Sequence, residues 1–195
     1  MATINAIEAV GEGLARHLRR AFELSGINAF SCDFKVLGAA EFKALKDSSA
    51  TCAIYLYRVT QNEFTRNQPP VTPARPVTVD LHLLFSLWLD TANHEHTVLG
   101  WLLRELSRYP VLDPGLLTAN GGFATTDRLQ FVPQELSLDD TSKLWQLLSV
   151  PYRLSLTYVV RNVQIGPEVV PEFAPVAATR YEYRDDPRSV AMEEL

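Results

Sequence analysis

The run from Val77 to Leu89, VTVDLHLLFSLWL, carries an apolar side chain at every odd position: Val77, Val79, Leu81, Leu83, Phe85, Leu87 and Leu89. The even positions read Thr78, Asp80, His82, Leu84, Ser86 and Trp88. Alternate residues of a strand point to opposite faces. A helix would scatter the same side chains around its circumference. The spacing therefore predicts a long strand with its odd face on the core and a wetter even face.

Upstream of this strand lies QNEFTRNQPPVTPARP, residues 61–76, with prolines at 69, 70, 73 and 76. Proline cannot donate to a sheet ladder, so the segment reads as a long loop or arm. Before it, Cys52 to Val59 (CAIYLYRV) is apolar on both faces, the pattern of an interior strand. Further upstream, Ile4, Ile7, Leu14, Leu18, Ala21 and Ser25 recur at helical spacing and predict a helix from about Thr3 to Leu24. Gly11 and Gly13 weaken it by about 1 kcal/mol each relative to alanine, and Gly26 is placed to end it. Arg16, His17, Arg19 and Arg20 gather near its C-terminal end, either as a solvated face complementing the helix dipole or as a docking face for an acidic partner.

Downstream, Leu99, Leu102, Leu103 and Leu106 restore the helical period, with Asn93 as candidate N-cap and Pro110 as the stop. Residues 113–126 hold two turn signals, Asp-Pro-Gly and Asn-Gly-Gly. A short strand is expected near Arg128 to Val132. Ser137 and Asp140 resemble a capping box opening a helix with Leu144, Trp145, Leu147 and Leu148 that ends before Pro151. A second long strand starts at Arg153. Its apolar phase runs through Leu154, Leu156, Tyr158 and Val160, then slips to Val163 and Ile165. A one-residue slip exchanges strand faces, so a bulge is expected near Arg161 and Asn162.

From Gly166 the composition changes, with Pro167, Pro171, Pro175, Pro187 and a charged end. The expected organisation is a domain over 1–165 and an extended tail over 166–195. Helices and strands do not alternate regularly, which favours an α+β fold: a central, mainly antiparallel sheet flanked by about three helices.

The chain has 195 residues, 47% of them hydrophobic and 21% charged, long enough to bury a core and inconsistent with disorder of the whole chain. Its formal charge is -5, with a pI near 5.4. This balance argues against nucleic-acid binding, which depends on neutralising phosphates. Cys32 and Cys52 suggest no disulfide framework. The longest apolar stretch, Leu81 to Leu89, is about half of the roughly 20 residues needed to cross a bilayer. The N-terminus lacks the compact apolar core and cleavage site of a signal peptide. Cytoplasmic synthesis without membrane insertion is expected.

The sequence holds no coherent active site. His94, Glu95 and His96, with His82, suggest a metal site, but histidines at i and i+2 diverge on a helix, whereas the helical zinc signature needs i and i+4. Asp80 and His82 share a strand face and look like two-thirds of a hydrolase triad. No Gly-x-Ser-x-Gly turn accompanies them. Asn120-Gly121-Gly122 lacks the lysine of a phosphate loop and reads as a turn. Cys32 has no activating base near it in sequence and reads as structural. No cofactor is implied.

Four segments, taken in order, resemble a known family. They are Tyr55 to Asn62 (YLYRVTQN) followed by Arg66-Asn67; Val79 to Leu84 (VDLHLL); Val98 to Trp101 (VLGW) with Tyr109 to Leu112 (YPVL); and Leu144-Trp145 followed by Pro151 to Tyr158 (PYRLSLTY). The set, covering roughly residues 4–165, resembles the tail-terminator, or cap, family of extracellular contractile injection systems, which are headless, phage-tail-like particles. The resemblance implies a non-enzymatic structural protein forming a homohexameric ring. The ring would bind sheath and inner tube at the end distal to the baseplate, stop their growth and anchor the sheath. It would finish where the assembled particle finishes, with release outside the cell as one end point. Some family members are longer at the C-terminus, so no role of such an extra region is carried over. The interface residues expected on this basis are Arg16, Arg19, Arg20, Arg66, Phe173, Tyr181 and Tyr183. The competing readings are a soluble adaptor docking through the basic helix face and a small hydrolase using Asp80 and His82.

Overall fold

The computed structural model describes residues 2–46, 49–62, 76–117 and 119–166. In chain order the elements are α1 (Ala6–Glu23), β1 (Asp33–Val36), α2 (Ala39–Ala44), β2 (Thr51–Gln61), β3 (Val77–Trp88), α3 (Ala92–Leu106), β4 (Val111–Leu112), β5 (Leu129–Pro133), α4 (Leu138–Leu148) and β6 (Ser155–Ile165). Two 3₁₀ turns, Pro114–Leu116 and Ala119–Gly121, stand where the Asp-Pro-Gly and Asn-Gly-Gly signals lie.

One six-stranded sheet runs β1-β2-β3-β6-β5-β4. β1 and β2 are parallel and the other pairs are antiparallel, so the fold is α+β with a mainly antiparallel sheet. The alternation in β3 places Val79, Leu81, Leu83, Phe85 and Leu87 in the main core, under α1 and α3. The expectation of a wetter even face holds at the Asp80–His82 end and is corrected at the other. Leu84 and Trp88 lie with Ala53 of β2 in a second, smaller core, roofed by Phe42 of α2 and by Trp145 and Leu148 of α4. Phe42 is fully buried and meets Tyr55, Trp88 and Trp145 at ring-centroid distances of 5.4, 5.7 and 6.0 Å. Both faces of the sheet are therefore dry at this end, as the two apolar faces of β2 imply, while at the other end Asp80, His82, Thr60 and Asn62 line a polar hollow of about 430 Å³.

The phase slip in β6 is a bulge. Val79 pairs with Val163 and Leu81 with Val160, leaving Arg161 and Asn162 opposite Asp80. Asn162 takes a positive φ of 64°, a conformation asparagine tolerates better than most residues. Its backbone N–H donates to Asp80 Oδ1 at 3.1 Å, so the strand breaks pairing without orphaning that donor.

Local details differ from the spacing. α1 begins at Ala6 rather than Thr3, because Ala2 bridges to Ile165 and extends the sheet. α3 is capped by Thr91, whose hydroxyl accepts from the His94 N–H at 3.3 Å, and Asn93 lies inside the first turn. Ser137 caps α4 through the Asp140 N–H at 3.1 Å, as expected. The short β1 and the six-residue α2 have no counterpart in the sequence reading.

Gly13 of α1 and Gly121 of the second 3₁₀ turn answer to packing. A Cβ on Gly13 would lie 2.6 Å from Leu116 O, and one on Gly121 would lie 2.5 Å from the Ala9 Cβ. α1 thus lies directly on the two 3₁₀ turns, an approach that only residues without side chains permit.

Candidate functional site

The basic cluster of α1 diverges once folded. Arg16 donates to the carbonyls of Leu116 and Leu117 at 3.3 and 3.1 Å, fastening α1 to the first 3₁₀ turn. Arg19 turns to the other side, bonding Asp33 Oδ1 at 2.8 Å and the Phe34 carbonyl at 2.6 Å. Burial alone would raise the Asp33 carboxyl, but hydrogen bonds from Arg19, Lys35 and the Phe34 N–H outweigh it and hold it below the ordinary value of 3.8. Arg16 and Arg19 are therefore engaged within the chain.

Arg20 stays exposed and joins a different group. With Arg104 and Arg108 of the α3 end it rims a groove of about 600 Å³, floored by Trp101, Glu105 and Tyr109. Glu105 is buried, and its carboxylate takes Arg108 at 3.0 Å. His17 Nε2 lies 3.4 Å from the other Glu105 oxygen without hydrogen-bond geometry. Planar guanidinium groups match carboxylates, so this groove suits an acidic surface. Two of its arginines, Arg104 and Arg108, were not among the residues expected from sequence. Their helical partner, Arg20, lies about 85 positions away, and only the packing of α1 on α3 joins them. Arg66, Phe173, Tyr181 and Tyr183 lie outside the described residues.

The chemical candidates resolve into structural roles. His82 bonds Thr60 Oγ1 through Nε2 at 3.0 Å and Gln134 Oε1 through Nδ1 at 2.8 Å. Asp80 bonds Asn162 and Asn62 instead, so the two are not joined as a dyad. His94 pairs with Asp90 at 2.6 Å and stacks on Phe30 at 4.1 Å, on the other side of the sheet from His82. Among the described residues no group of three or more His, Cys, Asp or Glu is placed to hold a metal. Burial pushes the Cys32 thiol up to about 12 and raises Cys52 as well, the opposite of an activated nucleophile. Among the described residues no helix is long and apolar enough to cross a membrane.

A second groove, about 790 Å³, runs along α4 and the segment after it. Its walls include Leu138, Trp145, Val150, Pro151 and Tyr152. Leu138 and Tyr152 are 88% and 62% exposed, so this is apolar surface left in water. It was not anticipated from sequence.

Curated protein sequences give no match. Among solved structures, the sheath/tube terminator of the PVC extracellular contractile injection system, in its extended state, is 20% identical with a TM-score of 0.59. That match covers 92% of this chain and 64% of the terminator. The tube-terminating cap of the anti-feeding prophage is also 20% identical, with a TM-score of 0.54, over 89% of this chain and 60% of the cap. The chain thus spans less than two-thirds of either of these structures, and at this identity the likeness is one of fold. The sequence model of the Pvc16 N-terminal domain family matches residues 9–179. The resemblance to tail terminators carried by the four segments accordingly extends to the whole fold, and the chain belongs to the Pvc16 N-terminal domain family.

Proposed function

We propose that this chain is a structural cap of a contractile injection system, a homohexameric ring that ends the inner tube and anchors the sheath distal to the baseplate. The observation that carries this reading is the fold shared with a sheath/tube terminator over 92% of the chain, together with the family match over residues 9–179. The reading needs no catalysis. Asp80 and His82, the residues on which a hydrolase would rest, are committed to the bulge and to Thr60 and Gln134.

The physical requirement on a terminator is simple. Tube and sheath subunits stack through heterologous contacts, which propagate until a different surface closes the end. A cap must match the terminal ring on one side and present nothing stackable on the other. The arginine-rimmed groove around Arg20 offers a cationic surface for carboxylates of the adjoining ring, while Arg16 and Arg19 act by holding α1 in place. Arg66, Phe173, Tyr181 and Tyr183 remain proposed contact residues. Sheath and inner tube are the proposed partners, and the assembled particle is the proposed location.

A gold-labelled chain in purified particles tests the placement. Label at the single pole opposite the baseplate is expected, with six copies per particle by quantitative mass analysis. Label along the shaft, or a strictly monomeric chain that never copurifies with particles, would refute the proposal.

A further inference from the structure

The groove beside α4 is a built apolar surface with three features that favour one kind of ligand. Its walls are aromatic and ring-bearing, with Trp145, Pro151 and Tyr152 among them. Its donor is unmet: the Trp145 indole N–H is buried without a hydrogen-bond partner. Tyr152, largely exposed, packs edge-on against that ring at 5.5 Å. Finally, the groove presents no open strand edge, so a ligand here gains nothing from pairing as a β-strand. Aromatic-walled grooves with an indole donor suit proline-rich segments, whose extended backbone is prepaid in entropy and offers carbonyls without matching N–H groups.

This chain carries such a segment. Pro167, Pro171 and Pro175 punctuate PEVVPEFAP directly after β6, and the family match runs through it to residue 179. On its own chain the segment leaves from the end of β6 remote from residues 149–152 of the groove. The 11 residues of β6 separate the two ends of the strand by about 33 Å. The groove lies beside residues 149–152, before the first residue of that strand. The centre of the segment, Glu172, is seven residues past Ile165 and can travel at most about 25 Å. A segment leaving one end of the sheet and a receptor groove at the opposite end make a head-to-tail pair, the arrangement that closes into a ring when rotation permits.

We propose that the groove formed by Leu138, Trp145, Pro151 and Tyr152 binds the Pro167–Pro175 segment of a second copy of this chain. This rests on the cap reading for its ring and adds the contact that links neighbouring copies. The test mixes two full-length variants, Ser142→Cys at the groove and Ala174→Cys in the segment, under mild oxidation. Both native thiols are buried and do not compete. A mixed disulfide at least fivefold above that of Ser25→Cys paired with Ala174→Cys is expected. Adding Trp145→Phe, which keeps a ring and removes the N–H, should reduce the yield at least threefold.

Equal yields for the groove and control pairs would overturn the inference. So would a doubly substituted chain closing on itself at high dilution, which would place the segment in its own groove. Cross-linking of Ser142→Cys to other particle subunits, with none to Ala174→Cys, would give the groove to a different partner and overturn it too. Scoring tail length in the same particles separates the two claims. Lost cross-linking with normal tails sinks only the groove contact; efficient cross-linking with uncontrolled tails sinks only the cap reading.

Discussion

The contact between α1 and the first 3₁₀ turn can be tested with one substitution placed twice. Replacing a helix-interior glycine by alanine gains about 1 kcal/mol of helix propensity when nothing obstructs the new methyl. At Gly100 of α3 nothing lies within 4 Å of the added Cβ, so Gly100→Ala should stabilise the chain by about that amount. At Gly13 the Cβ would meet Leu116 O at 2.6 Å and Leu117 Cα at 2.9 Å. Carbon contacts settle near about 3.5 Å, so α1 or the turn must withdraw by close to 1 Å. Both are backbone, and neither can rotate away.

Overpacking of this kind costs about 1–3 kcal/mol. The withdrawal also strains the two bonds from Arg16 to the Leu116 and Leu117 carbonyls, each worth about 1 kcal/mol. Against the propensity gain, Gly13→Ala should lose about 1–3 kcal/mol net. The assay is urea unfolding of both variants beside the parent, with the m-value checked for constancy. The predicted signature is opposite signs for the same chemical change. If Gly13→Ala is as stabilising as Gly100→Ala, the close approach of α1 to residues 116–117 is wrong.

Three further outcomes follow from the same contacts. Thr91→Ala should cost about 1 kcal/mol through loss of the α3 cap, whereas Asn93→Ala should stay within about 0.5 kcal/mol; urea midpoints check both. Phe42→Ala removes the ring joining Tyr55, Trp88 and Trp145 and should cost about 3–5 kcal/mol, read as an early loss of the near-ultraviolet tryptophan signal. The Asp33 carboxyl is held below its ordinary value when folded, so its contribution is present above that value and fades as pH falls through the folded one. Asp33→Asn should therefore destabilise at pH 7 and converge on the parent in strong acid, by less than about 1 kcal/mol because the pair is exposed. Thermal unfolding across pH 2–7 compares the two.

Much of the sheet is legible in residue order. β3 declares itself because an edge-to-edge run of period two has one backbone solution. The bulge in β6 declares itself because Val160 and Val163 cannot share a face without an extra residue. What hides is whatever depends on distant partners. The even face of β3 reads as wetter because Thr78, Asp80, His82 and Ser86 are polar; its roof comes from Phe42 and Trp145, which lie about 40 and 60 positions away. β1 and α2 hide because four and six residues are too few to establish a period. The basic cluster hides its meaning in the same way. Arg16, Arg19 and Arg20 look like one patch, yet the turn of the helix aims Arg19 at β1 and leaves Arg20 with Arg104 and Arg108. Gly11 and Gly13 read as a weakness of α1 in the sequence; the purpose of Gly13 appears only when the first 3₁₀ turn arrives against it.

The proposed role is termination, and termination is a property of length. Electron microscopy of particles from cells carrying and lacking this gene, with shaft length scored for each particle, measures it directly. With the gene present, lengths should be uniform; without it, tubes should run to uncontrolled lengths or shed their sheaths. Uniform, intact, normally sheathed shafts in its absence would contradict the account.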